Sequence, residues 1–118
     1  MEPPTTDVVA TAGLKNVHDV AAERVTVDGS SGSILVTILW WSGPAPCSQL
    51  STVNVDRKDS PAGSAFTLTV REGAQEANVA CPALATHKRT VVDLGPINDG
   101  DWTISVTGVD QPQSIQLP

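Results

Sequence analysis

The stretch AFTLTVRE, residues 65–72, sets Phe66, Leu68 and Val70 in alternation with Thr67, Thr69 and Arg71. A period of two puts the apolar and polar sets on opposite faces of an extended strand, so only sheets can bury the apolar set. The rhythm returns in DWTISVTG (101–108), where Trp102, Ile104 and Val106 oppose Thr103, Ser105 and Thr107. In LSTVNVDR (50–57), Val53 and Val55 oppose Thr52, Asn54 and Asp56, and RVTVDG (24–29) repeats the theme with Val25 and Val27. One dry and one wet face per strand is the signature of antiparallel sheets, and β-branched residues suit it.

Turn chemistry punctuates these runs: DGSSGS (28–33), SGPAP (42–46), DSPAGS (59–64), REGAQ (71–75) and GPINDGD (95–101). Glycine supplies positive φ and proline fixes φ, so each is a break with a mechanism. About seven short strands at this spacing predict an all-β sandwich, antiparallel, in a single domain over residues 8–118. Residues 1–7, with the Pro/Thr-rich EPPTT, read as a flexible tether. Two stretches break the rhythm. In GLKNVHDVAAERV (13–25), Leu14, Val17, Val20 and Ala21 stand at helical spacing, so 14–22 is either one or two helical turns or a loop after a first strand in DVVATA. The Ala-rich ANVACPALATHK (77–88) reads as loop, with any helical turn starting at Pro82.

The 118 residues suffice for one core. Three tryptophans, one phenylalanine and no tyrosine leave Val, Ile and Leu to fill it. A formal charge of −6 argues against nucleic acid and against charge-driven adhesion to anionic lipid. The basic runs Arg57-Lys58 and His87-Lys88-Arg89 are short enough to read as solvated surface. No run approaches the roughly 20 apolar residues of a membrane span. MEPPTTD has neither the basic nor the apolar region of a secretory signal. Membrane attachment is therefore expected only through an N-terminal anchor absent from this chain. Either the protein is cytosolic or Met1 precedes a mature secreted segment, and the polar EPPTT opening favours the second reading.

Cys47 and Cys81 each adjoin a strand end. No C-x-x-C supports redox work, and a zinc site borrowing His18 and His87 would lack the close ligand spacing of zinc motifs. A disulfide is the expectation, and two buried thiols the alternative. Closing a loop of this size stabilises a fold by roughly 3–4 kcal/mol on the chain-entropy account, and a disulfide implies an oxidising, extracytoplasmic compartment.

The segments CSQLSTVNVDR, FTLTVRE, ACPA and VDLGPINDGDWTISVTG resemble the C-terminal halves of small immunoglobulin-like domains of bacterial extracytoplasmic proteins, often lipoproteins. The matching positions are Val92, Leu94, Ile97, Gly100, Trp102, Ile104, Val106 and Gly108, with Trp102 standing where the family usually has Tyr or Phe. The likeness spans roughly residues 33 to 117. It implies an immunoglobulin-like sandwich, a disulfide joining Cys47 and Cys81, and a surface module without enzymatic activity or cofactor.

Chemistry in the sequence points the same way. No G-x-S-x-G elbow supports a Ser-His-Asp site from His18 or His87. Most carboxylates sit in turns, where Asp serves its own backbone. NDGD lacks the terminal Glu of a calcium loop. No catalytic, metal or cofactor residues are expected. The feature that singles itself out is Trp40-Trp41, since adjacent strand residues face opposite sides. Ile34, Val36, Ile38 and Trp40 make one face and Leu35, Thr37, Leu39 and Trp41 the other. Either the second face is covered by the N-terminal segment, or Leu35, Leu39 and Trp41 form a contact patch for a protein partner or a second copy. The expected function is a non-catalytic extracytoplasmic interaction or assembly module. Alternatives are an inhibitor of secreted proteases presenting the stapled loop 42–49, with 57–65 as a second candidate loop, and a carbohydrate-binding module stacking sugar on Trp41.

Overall fold

Along β4 (Ser33–Ser42) the alternation is complete. Ile34, Val36, Ile38 and Trp40 are wholly buried, while Leu35, Thr37 and Leu39 are half-buried and Trp41 is exposed on the opposite face. A computed structural model describes residues 5–29, 32–44, 47–61, 63–75, 84–96, 100–110 and 113–117. Among these residues the chain is all strand and connection, without helix. The other strands are β1 (Thr5–Asp7), β2 (Lys15–Val20), β3 (Arg24–Asp28), β5 (Gln49–Ser60), β6 (Gly63–Ala74), β7 (Thr86–Pro96), β8 (Gly100–Val106) and β9 (Gln113–Leu117).

Two sheets form, one in the order β1-β7-β4-β3, the other running β2-β6-β8-β9 with β5 on the free side of β6. Their facing sides hold the core: Val25, Ile34, Val36, Ile38 and Trp40 against Leu50, Phe66, Leu68, Val70, Trp102, Ile104 and Val106. The sandwich expected from period-two patterning is therefore present, but not wholly antiparallel. The β1–β7 and β6–β8 pairs are parallel. The second follows from β7 crossing to the other sheet between β6 and β8, so that β8 returns in the direction of β6. Nine strands are described rather than about seven. The additional pieces are short and peripheral. They include residues 5–7, read in sequence as tether, which lie beside β7.

Segment 14–22 is neither helical nor loop: β2 pairs antiparallel with β6. Its register shifts between Lys15 and His18, where Asn16 takes φ 55°. An extra residue at such a bulge changes the spacing of inward positions. Val17 and Val20, the half-buried pair, thus stand three apart and imitate a helix. β2 and β8 lie end to end on one edge of β6, with Val20 opposite Val70 and Val106 opposite Leu68. The Ala22 N–H donates to the Thr107 carbonyl at 2.8 Å across that junction.

Residues 71–74, expected in a turn, continue β6. Val53 is partly buried, whereas Val55 is 41% exposed, because β5 runs along an edge and its far half, Asp56–Ser60, lies in solvent. The Arg57 guanidinium covers the stacked Phe66 and Trp102 rings, 5.2 and 5.9 Å from their centroids. Cys47 follows a compact turn in which the N–H groups of Cys47 and Ser48 both donate to the Pro44 carbonyl. Cys81 and residues 45–46 lie outside the described residues.

The run His87-Lys88-Arg89 is not solvated surface. Only Arg89 meets that expectation, since His87 is 8% and Lys88 4% exposed. Lys88 points between the sheets and donates to Glu72 Oε2 at 2.9 Å, and Glu72 is itself 1% exposed. Ser42 Oγ donates to the same oxygen at 3.0 Å, and the Ser48 carbonyl accepts from Lys88 Nζ at 2.9 Å. This pair ties β7 of one sheet to β6 of the other. Glu72 shares the parity of Phe66, Leu68 and Val70, so its inward direction was readable from the alternation itself.

Candidate functional site

The outer face of the β1-β7-β4-β3 sheet is built in rows by register. Trp41 is paired with His87 and His87 with Thr5. The next row runs Arg24, Leu39, Arg89, Asp7. Beyond it Thr37 stands between Thr26 and Val91, and Leu35 between Asp28 and Asp93. Pleating turns all of these to one side.

At the first row four side chains converge. The Trp41 ring stacks on His87, with centroids 4.4 Å apart and planes 24° apart. The indole N–H donates to Glu23 Oε2, and Glu23 Oε1 lies 3.3 Å from His87 Nε2. Thr5 Oγ1 is 2.8 Å from His87 Nδ1. The ring bonds on both sides, Nε2 to the Glu23 carboxylate and Nδ1 to the Thr5 hydroxyl, which can donate or accept. His87 is thereby held at both nitrogens and roofed by an aromatic ring. One face of Trp41 rests on it, and the residue keeps 40% of its surface in solvent.

Beside this cluster Arg89 binds Asp7 in a two-pronged pair, Nε to Oδ1 at 2.5 Å and Nη2 to Oδ2 at 3.0 Å. The Arg89 guanidinium holds the Asp7 carboxyl below the usual carboxylate range, and Asp7 in turn raises Arg89. On the opposite hairpin, hydrogen bonds from Arg57 and then Ser64 lower the Asp59 carboxyl.

Leu35, Leu39 and Trp41 do share this face, but not as an unbroken apolar stripe. Thr37 separates the two leucines, Arg24 and Arg89 flank Leu39, and Asp28 and Asp93 flank Leu35. Val91, 55% exposed next to Thr37, is an apolar member that sequence reasoning missed. His87, Glu23 and Thr5 were missed as supports of Trp41. They come from β1, β7 and the bend just before β3, and nothing local in the sequence pairs them. Among the described residues no group of three or more His, Cys, Asp or Glu side chains could hold a metal ion. The chain matches no family model, no curated protein and no solved structure.

Proposed function

We propose that this chain is a non-catalytic extracytoplasmic interaction module of the immunoglobulin-like kind, stapled by Cys47–Cys81, whose contact face is the outer side of the β1-β7-β4-β3 sheet. The carrying observation is Trp41, an exposed indole fixed by stacking on His87 and by its bond to Glu23. A large aromatic already held in one orientation loses little conformational entropy when a partner covers it. Arg24 and Arg89 nearby, with Asp28 and Asp93 at the far end, give the face a polarity that a protein partner can match in orientation.

The hydroxyl–imidazole–carboxylate series Thr5–His87–Glu23 has the ordering of a hydrolase triad. Its imidazole lies beneath Trp41 and its hydroxyl beside a strand ladder, which supports a holding role rather than attack on a substrate. The inhibitor reading asks for a loop that projects and stays extended. The described parts of 42–49 are half-buried and fold back on the Pro44 carbonyl, which counts against it. The sugar reading has a single outward indole to rest on.

No cysteine is free among the described residues, in keeping with the staple. Mass of the chain after alkylation in denaturant, without reductant, reads this directly, because buried thiols would then react as well. An unmodified mass supports the disulfide and the compartment inferred from it, and two adducts remove both. The face is tested by placing a photocrosslinking side chain at Thr37 in the source cells. The reading expects a discrete crosslinked partner that disappears in Trp41→Ala with the fold intact. The same partner captured undiminished by the variant rejects this face.

A further inference from the structure

One side of β7 is paired by β4 along the strand, but on the other side β1 covers only His87–Arg89. The last bond there runs from the Val8 N–H to the Arg89 carbonyl at 2.9 Å. The chain then crosses to the other sheet, where the Thr11 N–H donates to the Leu50 carbonyl at 2.8 Å. Backbone groups alternate in direction along a strand, so Val91 and Asp93 aim their N–H and C=O groups as Arg89 does. Among the described residues no strand receives them. Beneath this free edge a groove of about 340 Å³ opens between β7 and β5. Val92 and Val53 line it, both packed on the core yet only half-buried, and Val9 and Leu50 stand at the crossing. Its polar lining is Thr90, which is buried, and Asp93. Val9 is 81% exposed and Val91 55%, so two large apolar side chains meet solvent beside unpaired backbone.

A free strand edge over an apolar groove suits strand addition, in which main-chain bonds hold an extended peptide and alternate side chains fill the groove. The edges of β3 and β5 differ. β3 lies against β9 on the far side of the sandwich. The outer half of β5 carries Asp56, Arg57, Lys58 and Asp59, charges of the kind that discourage edge pairing. Asp93 selects the occupant: it accepts from the Gly95 N–H at 2.8 Å and pairs with no cation among the described residues. A second copy fits poorly. Each chain carries a formal charge of −6, and two such edges paired antiparallel would set Asp93 against Val91 or against its own equivalent. We propose that this edge of β7 accepts an extended strand from another protein, apolar at the groove-facing positions and carrying a Lys or Arg opposite Asp93. The inference does not use Trp41, so it and the proposed contact face can fail separately.

The test is amide hydrogen exchange of the full chain, read by NMR, with the capped peptide Thr-Val-Lys-Val-Thr-Ile-Thr. In the free chain the Val91 and Asp93 amides should exchange fast, and those of Thr90 and Val92, which face β4, slowly. Saturating peptide should slow the Val91 and Asp93 amides about tenfold or more. N-methylation of alternate peptide residues blocks one set of N–H groups. One of the two possible sets should weaken binding about tenfold, and the other should leave it nearly unchanged. Replacing the peptide Lys by Glu, or Asp93→Asn in the protein, should weaken binding about threefold. No saturable change, equal binding of both N-methylated forms, or a Glu peptide as tight as the Lys peptide would overturn the proposal. Protection of the same amides that rises with protein concentration alone would assign the edge to a second copy and overturn it as well.

Discussion

Lys88 and Glu72 set one sharp energetic condition at the scale of single residues. Both are almost wholly buried, and each satisfies the other. Removing one partner of such a pair leaves an uncompensated charge, at a cost of about 3–5 kcal/mol, whereas replacing both by apolar residues of similar volume is often neutral or stabilising. Lys88→Met should therefore lower stability by that amount in urea unfolding. Lys88→Met combined with Glu72→Leu should recover most of it. A double variant as unstable as the single one would mean that the pair contributes specific bonds, through Ser42 and Ser48, beyond mutual neutralisation. Asp7 sets a different condition, one of pH. Its carboxyl is held low by Arg89, so its contribution is present above its unfolded pKa and is lost as pH falls through the folded value. The backbone signals of Thr5–Asp7 should stay in their paired positions at neutral pH and move toward coil values below about pH 4. Asp7→Asn should weaken the pairing at neutral pH and flatten that dependence.

At the scale of elements, the tightest joint is where β2 and β8 meet on the edge of β6. Gly108, at φ 99°, follows β8, and a Cβ there would lie 2.5 Å from the Ala22 nitrogen and 2.7 Å from the Ala21 Cβ. Gly108→Ala thus combines left-handed strain with a clash against backbone, and should cost about 2–4 kcal/mol. Gly13, at φ 79°, has nothing within 4 Å of such a Cβ. Gly13→Ala should cost only the strain, about 1 kcal/mol, and the pair of denaturation midpoints separates the two terms. Elements also mark where the sequence could be read. β4, β6 and β8 have one face against the other sheet, and in each the inward residues fall on one parity, as the alternation predicts. β2 and the outer half of β5 lie at edges. There a bulge at Asn16 resets the count, and solvent covers both sides of Asp56–Ser60. Parallel pairing was not legible at all, because strand direction depends on which sheet β7 joins.

Over the whole molecule, the two sheets divide the three tryptophans unequally. Trp40 and Trp102 sit between the sheets at 0% and 2% exposure, while Trp41 stands outside at 40%. The division was readable for Trp40 and Trp41 from strand parity alone. What parity could not give was the support beneath Trp41, since Thr5, Glu23 and His87 meet only through strand pairing. The arrangement makes the exposure of Trp41 on the proposed face directly observable. A solvent-facing indole emits further to the red than one in a dry core and is open to collisional quenching. Acrylamide should therefore quench only part of the native emission, and Trp41→Phe should shift the remaining emission to the blue and remove the quenchable part. His87→Ala should leave both core indoles unchanged. With its stacking partner gone, Trp41 should become more accessible, so quenching should rise. Quenching unaltered by Trp41→Phe would place the accessible indole elsewhere and take away the physical basis of the proposed face. Loss in that variant together with a rise in His87→Ala would establish that the stacked imidazole shields one face of the exposed tryptophan.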